Sequence, residues 1–253
     1  MRRPTSINCM PDRYFITPPI TADRATLRDD EAHHLAHVMR AKTGAEIIVF
    51  DGGGREWLAR VARLRRNEVD LDLIERRDCD RELSADVTLA VALPKGDRQR
   101  WLVEKSVELG VRRIVPLTTD RGVAQPVEKA LDRLRRAVIE ASKQCGRNRL
   151  MEIAAPQRWP DFCAATAVPN ELRLAADPLG GDDLGSLIET LRTAGRPWSL
   201  VFAVGPEGGW TDGERQCAAA HDWRIVSLGP RILRIETAAL LLASVTASTA
   251  HPP

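Results

Sequence analysis

Two loops rich in glycine and proline constrain this chain more than any other feature: Val204-Gly205-Pro206-Glu207-Gly208-Gly209, and Leu228-Gly229-Pro230-Arg231-Ile232-Leu233-Arg234-Ile235-Glu236-Thr237. Each follows an apolar run of strand character, Trp198 to Ala203 and Arg224 to Leu228, and each ends where a helical pattern begins. Strand, loop and helix in that order predict βα units, with both loops side by side at the carboxyl ends of neighbouring strands. Open α/β sheets bind their ligands in that place. Glycine lets backbone groups approach a ligand closely, and proline leaves backbone unpaired. One Gly-Pro turn is ordinary punctuation. Two of them, with a charged Arg-x-Glu-Thr tail on the second, specify a site.

The rest of the chain divides in two. From Glu46 to Ile74 the pattern is of strands, Glu46–Phe50, Glu56–Leu64 and Glu68–Ile74. In the last, Val69, Leu71 and Leu73 alternate with Glu68, Asp70 and Asp72. Asp51-Gly52-Gly53-Gly54 is a hairpin signal. Asp29 to Arg40 reads as a short helix, and the polar stretch Glu75 to Asp86 as a linker. The expectation is a compact β-barrel over residues 1–80.

From Val87 strands and helices alternate, which predicts a parallel α/β sheet over residues 81–253. Val87–Leu93, Arg113–Leu117 and Leu172–Ala176 read as strands, Asp97–Leu109 as a helix, and Glu236–Ser248 as the last helix. Val127 to Cys145 is an amphipathic helix with Leu131, Leu134, Val138, Ala141 and Cys145 on one stripe, and Lys129, Arg133, Arg136 and Lys143 opposite. Thr211-x-x-Glu214 is a capping box.

Charge is unevenly spread. Residues 81–150 carry 15 basic and 9 acidic side chains, whereas residues 151–253 carry 8 and 12. A local basic patch suits phosphate contacts, and a chain whose net charge is only +2 is not built to coat nucleic acid indiscriminately. The longest uncharged apolar run, Thr237 to Ala250, is too short and too rich in Ser and Thr to span a bilayer. The start has Arg2 and Arg3 but no hydrophobic signal core, so no membrane partner is expected. Five cysteines, Cys9, Cys79, Cys145, Cys163 and Cys217, show no CxxC spacing, which indicates neither a disulfide framework nor a zinc site and fits a reducing cytoplasm. His33, His34 and His37 lack the further ligands that would complete a metal set.

The two loops together resemble the cofactor-binding loops of the SPOUT, or trefoil-knot, RNA methyltransferases. More closely they resemble the ribosomal RNA small subunit methyltransferase E family, whose members methylate N3 of a uridine in 16S rRNA. The likeness continues through Arg13-Tyr14-Phe15, His33-His34-Leu35, Val38-Met39-Arg40, Phe50-Asp51-Gly52, Leu93-Pro94-Lys95-Gly96, Glu104-Lys105-Ser106-Val107-Glu108-Leu109-Gly110 and Gln144-Cys145-Gly146-Arg147-Asn148-Arg149. Arg158 to Pro197 departs most: the family often carries His-Pro where this chain has Ala176-Asp177-Pro178.

The resemblance implies a PUA-like β-barrel RNA-binding domain followed by a SPOUT-type parallel sheet with a deep trefoil knot. It further implies S-adenosyl-L-methionine as cofactor, 16S rRNA or the small ribosomal subunit as partner, a homodimer, and no metal. Gly205, Glu207, Gly208, Leu228, Gly229 and Leu233 are the expected cofactor contacts. N3 methylation removes an imide proton, and Arg234 is expected to stabilise the anion that develops, with Glu236 as base or orienter and Glu207 or solvent as rivals for the base. Arg13, Tyr14, Arg40, Lys95, Arg147, Asn148 and Arg149 are the expected RNA contacts, Tyr14 by stacking on an unpaired base. The Ala- and Leu-rich stretch from Ala238 to Ala243 is the expected dimer surface.

A non-catalytic RNA-binding protein would not need both loops intact. A nucleotide-dependent oxidoreductase would need a GxGxxG opening its first βα unit, which this chain lacks.

Overall fold

The computed structural model describes residues 12–17, 20, 23–123, 127–165, 167–193 and 199–249. Cys9, Trp198 and Ala250 lie outside them. The chain forms two compact units, the first of residues 1–81 with 142–150, the second of residues 82–141 with 151–253.

The first unit is a five-stranded sheet. In chain order it has β1 (Arg13–Phe15), β2 (Arg24–Arg28), α1 (Asp29–His33), which runs on into a π-helical turn His34–Val38, then β3 (Glu46–Phe50), β4 (Glu56–Leu64) and β5 (Glu68–Arg77). The strand order is β1-β3-β4-β5-β2, antiparallel except for β1 against β3. Register shifts between Leu58 and Ala59 and between Val61 and Arg63 bend the β4–β5 pair. The alternating apolar positions point to one side, where Val49, Val61, Val69 and Leu71 pack with Tyr14, Leu27 and Leu35.

The turn at Asp51 is closed by the Gly53 N–H donating to Asp51 Oδ1 at 2.9 Å. Strand β5 runs three residues beyond the alternation, to Arg77, because Glu75, Arg76 and Arg77 pair with Leu58, Trp57 and Glu56. The segment after the long helix joins this unit: Gly53 bridges Arg149, and the Asn148 side-chain amide donates to the Cys79 carbonyl at 2.9 Å.

In the second unit come β6 (Asp86–Val91), α2 (Asp97–Glu108), β7 (Arg113–Thr118), α3 (Glu128–Cys145), β8 (Glu152–Ile153), β9 (Gln157–Arg158), α4 (Trp159–Ala164), β10 (Glu171–Ala176), β11 (Asp182–Asp183), α5 (Leu184–Thr193), β12 (Ser199–Val204), α6 (Asp212–Ala220), β13 (Arg224–Ser227) and α7 (Ile235–Thr249). The strand order is β11-β13-β10-β12-β6-β7-β8, with β9 also on β7, and every pairing is parallel. All strand carboxyl ends therefore lie along one edge. Helices α4 and α6 pack together, and α7 packs on α2, α5, β12 and β6. Trp159, Trp210 and Trp223 form the aromatic centre under α4 and α6, with ring centroids 4.5 and 5.1 Å from Trp159.

The stripe on α3 is buried as its spacing requires, with Leu131, Leu134, Val138 and Ala141 all inside. Helix α7 differs from expectation. Ala238, Ala239, Leu240, Leu242 and Ala243 are buried within the chain, so most of this stretch is core, and only Leu241 within it stays half-buried. Among the described residues no helix is long and apolar enough to cross a membrane.

Candidate active site

Loops 205–211, after β12, and 228–234, after β13, occupy the carboxyl edge of the sheet, with loop 177–181 after the intervening β10. Their shape is fixed by side chains from elsewhere. Gly205 backs onto Trp210, whose indole would lie 2.8 Å from a Cβ there, so only glycine fits. The same indole donates from Nε1 to the Ala176 carbonyl at 2.9 Å, tying loop 205–211 to the end of β10. Arg121, in the loop after β7, donates from Nη1 to the Gly208 carbonyl at 2.9 Å. The Asp120 N–H donates to Glu214 Oε1 at 3.0 Å, and Glu214 Oε2 accepts from the Thr211 N–H at 2.8 Å, completing the capping box. Asp177 is buried and accepts from Arg215 Nε at 2.7 Å and from the Leu179 N–H at 2.9 Å.

The second loop is more open. Gly229 has φ +105°, and a Cβ there would meet nothing within 4 Å. Its backbone thus borders free space in a conformation that glycine alone adopts without strain. Leu228 and Leu233 are half-buried beside it, Arg234 is exposed, and the Arg234 carbonyl accepts the first α7 hydrogen bond, from Ala238 at 2.9 Å.

Glu236 follows in the first turn of α7. It is buried, and its Oε2 has no hydrogen-bond partner. A carboxylate at a helix N-terminus is favoured by the macrodipole, and its other oxygen faces Arg98 Nη1 at 3.6 Å. The same guanidinium lies 3.6 Å from Glu207 Oε1 through Nη2.

The structure therefore gathers Lys95, Glu207, Gly208, Leu228, Gly229, Leu233, Arg234 and Glu236 along one edge, and adds Arg98, Asp120, Arg121 and Asp177. Arg98 sits in the first turn of α2, just after the Lys95 loop, with its guanidinium near Glu207 and Glu236. The signal for it in the sequence was the Pro-Lys-Gly-Asp-Arg run itself.

The expected RNA contacts of the first unit need correction. Tyr14 has no exposed surface and packs in the core, where stacking on a base is closed to it. Arg13 is buried, donating from Nη1 to Glu56 Oε2 at 2.8 Å, and Arg81 donates to the same oxygen at 2.9 Å. Burial alone would raise the Glu56 carboxyl. The hydrogen bonds from Arg81 and Arg13 outweigh it and hold the group below its ordinary value. Arg147 and Asn148 are buried as well, and Arg149 is half-buried, its guanidinium packed so close to Gly54 that a Cβ there would meet Nη2 at 2.9 Å. Arg40 is exposed, as are Lys129, Arg133 and Arg136 on α3, whereas Lys143 is held by Glu31 at 2.8 Å.

Residues 81–247 match the RNA methyltransferase domain family, and residues 27–74 match the RNA methyltransferase PUA domain. The chain is 38 % identical over 224 residues to the ribosomal RNA small subunit methyltransferase E of Synechocystis, covering 88 % of this chain and 72 % of that one. It belongs to that family. The Bacillus subtilis member is 30 % identical over 230 residues, which is 87 % of this chain and 88 % of its own. The crystal structure of the Neisseria gonorrhoeae member bound to S-adenosyl methionine superposes with a TM-score of 0.84 at 29 % identity, over 94 % of this chain and 97 % of that one. The curled sheet and the parallel sheet are thus the PUA and methyltransferase parts of a family member, which makes the chain an S-adenosylmethionine-dependent RNA methyltransferase.

Proposed function

We propose that this protein transfers the methyl group of S-adenosylmethionine to N3 of a uridine in 16S rRNA. The observation that carries the reading is the pair of glycine loops at the strand ends, where Gly229 borders open space and Glu236, two residues past the exposed Arg234, has a buried oxygen without a hydrogen-bond partner.

The residues present fit the cofactor. Backbone at Gly205, Gly208 and Gly229 and the apolar sides of Leu228 and Leu233 suit a neutral adenosine, which needs close approach more than charge. When bound, the sulfonium supplies an activated methyl group. Glu207 flanks the crevice. The work left to the protein is to align the uracil nitrogen with the methyl carbon and to carry the charge that appears on the ring. Arg234, exposed just before α7, donates in this scheme to the uracil carbonyl whose oxygen becomes negative as the imide proton leaves. Glu236 Oε2 is free to accept a hydrogen bond from substrate, and Arg98 holds the carboxylate in place by facing its other oxygen.

RNA is read by other surfaces. Arg40, Lys95 and the exposed face of α3 at Lys129, Arg133 and Arg136 supply cations for phosphate. Residues 1–80 and 81–253 act as the RNA-binding and methyl-transferring parts in this scheme. The passage of α7 from β13 back over β12 and β6 is the place for the family's knot. The protein works as a cytoplasmic homodimer, and Ile232, 88 % exposed in the second loop, is an apolar side chain for a partner subunit to cover. Purified protein incubated with labelled S-adenosylmethionine and unmethylated 16S rRNA tests the reading: one methyl group per RNA is expected, and no transfer to either free RNA or small subunits would contradict it.

A further inference from the structure

Three ligating side chains converge at a place that methyl transfer does not use. Cys163 on α4, Cys217 on α6 and His221 directly after α6 have donor atoms all within 4.8 Å of one another. Cys217 and His221 are four residues apart, so a helix end presents them on one face. Cys217 Sγ is 3.9 Å from His221 Nδ1, which also lies 2.9 Å from the Cys217 carbonyl. Cys163 is fully buried, and the other two are half-buried, which leaves the cluster a solvent side.

The backbone around Cys163 is fixed. Its carbonyl accepts from Trp223 Nε1 at 3.2 Å and from Arg173 Nη1 at 3.4 Å. Trp223 lies edge-on to Trp159 and 5.9 Å from the Phe162 ring, giving an aromatic wall. The cluster stands at the opposite end of α6 from the Thr211 cap, and so away from the strand-end crevice.

Two thiols alone would be unremarked core packing. An imidazole brought against both of them, with no carboxylate in the cluster, is the donor set of a thiophilic d¹⁰ ion. We infer that Cys163, Cys217 and His221 bind a single zinc ion that ties α4 to α6, with solvent in the fourth position. The two thiol protons pass to solvent as the zinc–sulfur bonds form, the imidazole contributes a lone pair, and no atom changes oxidation state. In a tetrahedral site with bonds of about 2.0–2.3 Å the donors stand ~3.5 Å apart. Side-chain rotation of about an ångström closes the present cluster to that spacing. The ion would brace the helix whose other end shapes loop 205–211. No linear spacing announced it, because the ligands come from two helices.

The test uses the reduced, metal-free full chain titrated with cobalt(II) and then zinc(II). The expected result is one equivalent bound with a thiolate-to-cobalt absorption band that zinc abolishes. Zinc should also raise Tm, and should slow the reaction of the cysteines with a thiol reagent. Cys217→Ala and His221→Ala should lose the band and the Tm rise while keeping wild-type affinity for S-adenosylmethionine. A folded wild-type chain that binds neither ion saturably would overturn the inference. So would a cobalt spectrum unchanged in Cys217→Ala, which would place the ion elsewhere, or a Cys163–Cys217 disulfide as the stable form in reducing buffer.

Discussion

Arg98 lies between the first glycine loop and the start of α7, Nη2 3.6 Å from Glu207 and Nη1 3.6 Å from Glu236. Glu207 is half exposed and Glu236 is almost wholly buried. The pairing therefore matters more to Glu236, which has no water to replace the guanidinium. Removing Arg98 should leave a buried carboxylate uncompensated and free to move. Arg98→Ala is expected to lower single-turnover methyl transfer on the order of 10²-fold, the scale of a misplaced catalytic group, with a small change in RNA affinity. Arg98→Lys, which keeps charge but cannot face both carboxylates, should recover only part. A wild-type rate for Arg98→Ala would reduce the contact to surface decoration.

Arg234 is expected to act through its planar fork. Arg234→Lys should cut turnover on the order of 10²-fold, as for loss of one oxyanion donor, while RNA and cofactor binding change far less. If Glu236 accepts the imide proton, Glu236→Gln should be slow at neutral pH and partly recover as pH rises toward the imide's own ionisation. A pH-rate profile on a fixed rRNA substrate separates the roles. A neutral-pH rate equal to wild type would move the base to Glu207 or to solvent.

The two glycine loops should fail differently. Gly229 is held at φ +105°, so Gly229→Val strains the backbone and puts a side chain into the open space at the strand ends. Gly208 has an ordinary φ, and a Cβ there would meet the flexible stem of Arg121 at 3.1 Å. Isothermal titration should show S-adenosylmethionine binding abolished in Gly229→Val and merely weakened in Gly208→Ala. Undiminished affinity in both would remove these loops from the site.

Glu56 should be a stability switch for the first unit. Its folded-state pKa is depressed, so the stability it contributes is present above the unfolded value and lost as pH falls through the folded one. Glu56→Gln leaves Arg13 buried without its countercharge and should cost about 3 kcal/mol at neutral pH. The Tm gap between wild type and variant should narrow below about pH 4.5, the carboxyl's ordinary value. A gap that stays constant down to pH 3 would show that the charge pair is not its source.

Much of this was legible in the chain. The alternation in β5, the stripe on α3 and the capping box at Thr211 follow from local periodicity and turn chemistry and lie where the sequence puts them. Both glycine loops follow strands and precede helices as the pattern requires, but β10 stands between β12 and β13, so their strands are not neighbours as expected. What escaped was long-range. Asp120, Arg121 and Asp177 act on partners dozens of residues away, and no periodic signal marks such pairs. Tyr14 and Arg147 differ from expectation for the converse reason. A three-residue strand and a turn after a helix are too short to show which face is buried, so polar residues there read as surface. The buried α7 stretch likewise looked like an interface because a helix covered on most sides carries little amphipathic contrast.

The most direct measurement is mass spectrometry of the nucleosides from 16S rRNA methylated by the purified protein. A single new modified nucleoside, N3-methyluridine, is expected, absent when S-adenosylmethionine is withheld and sharply reduced with Arg234→Lys. Methylation at uridine carbon 5 or at a ribose hydroxyl, or no new nucleoside at all, would contradict the proposed function.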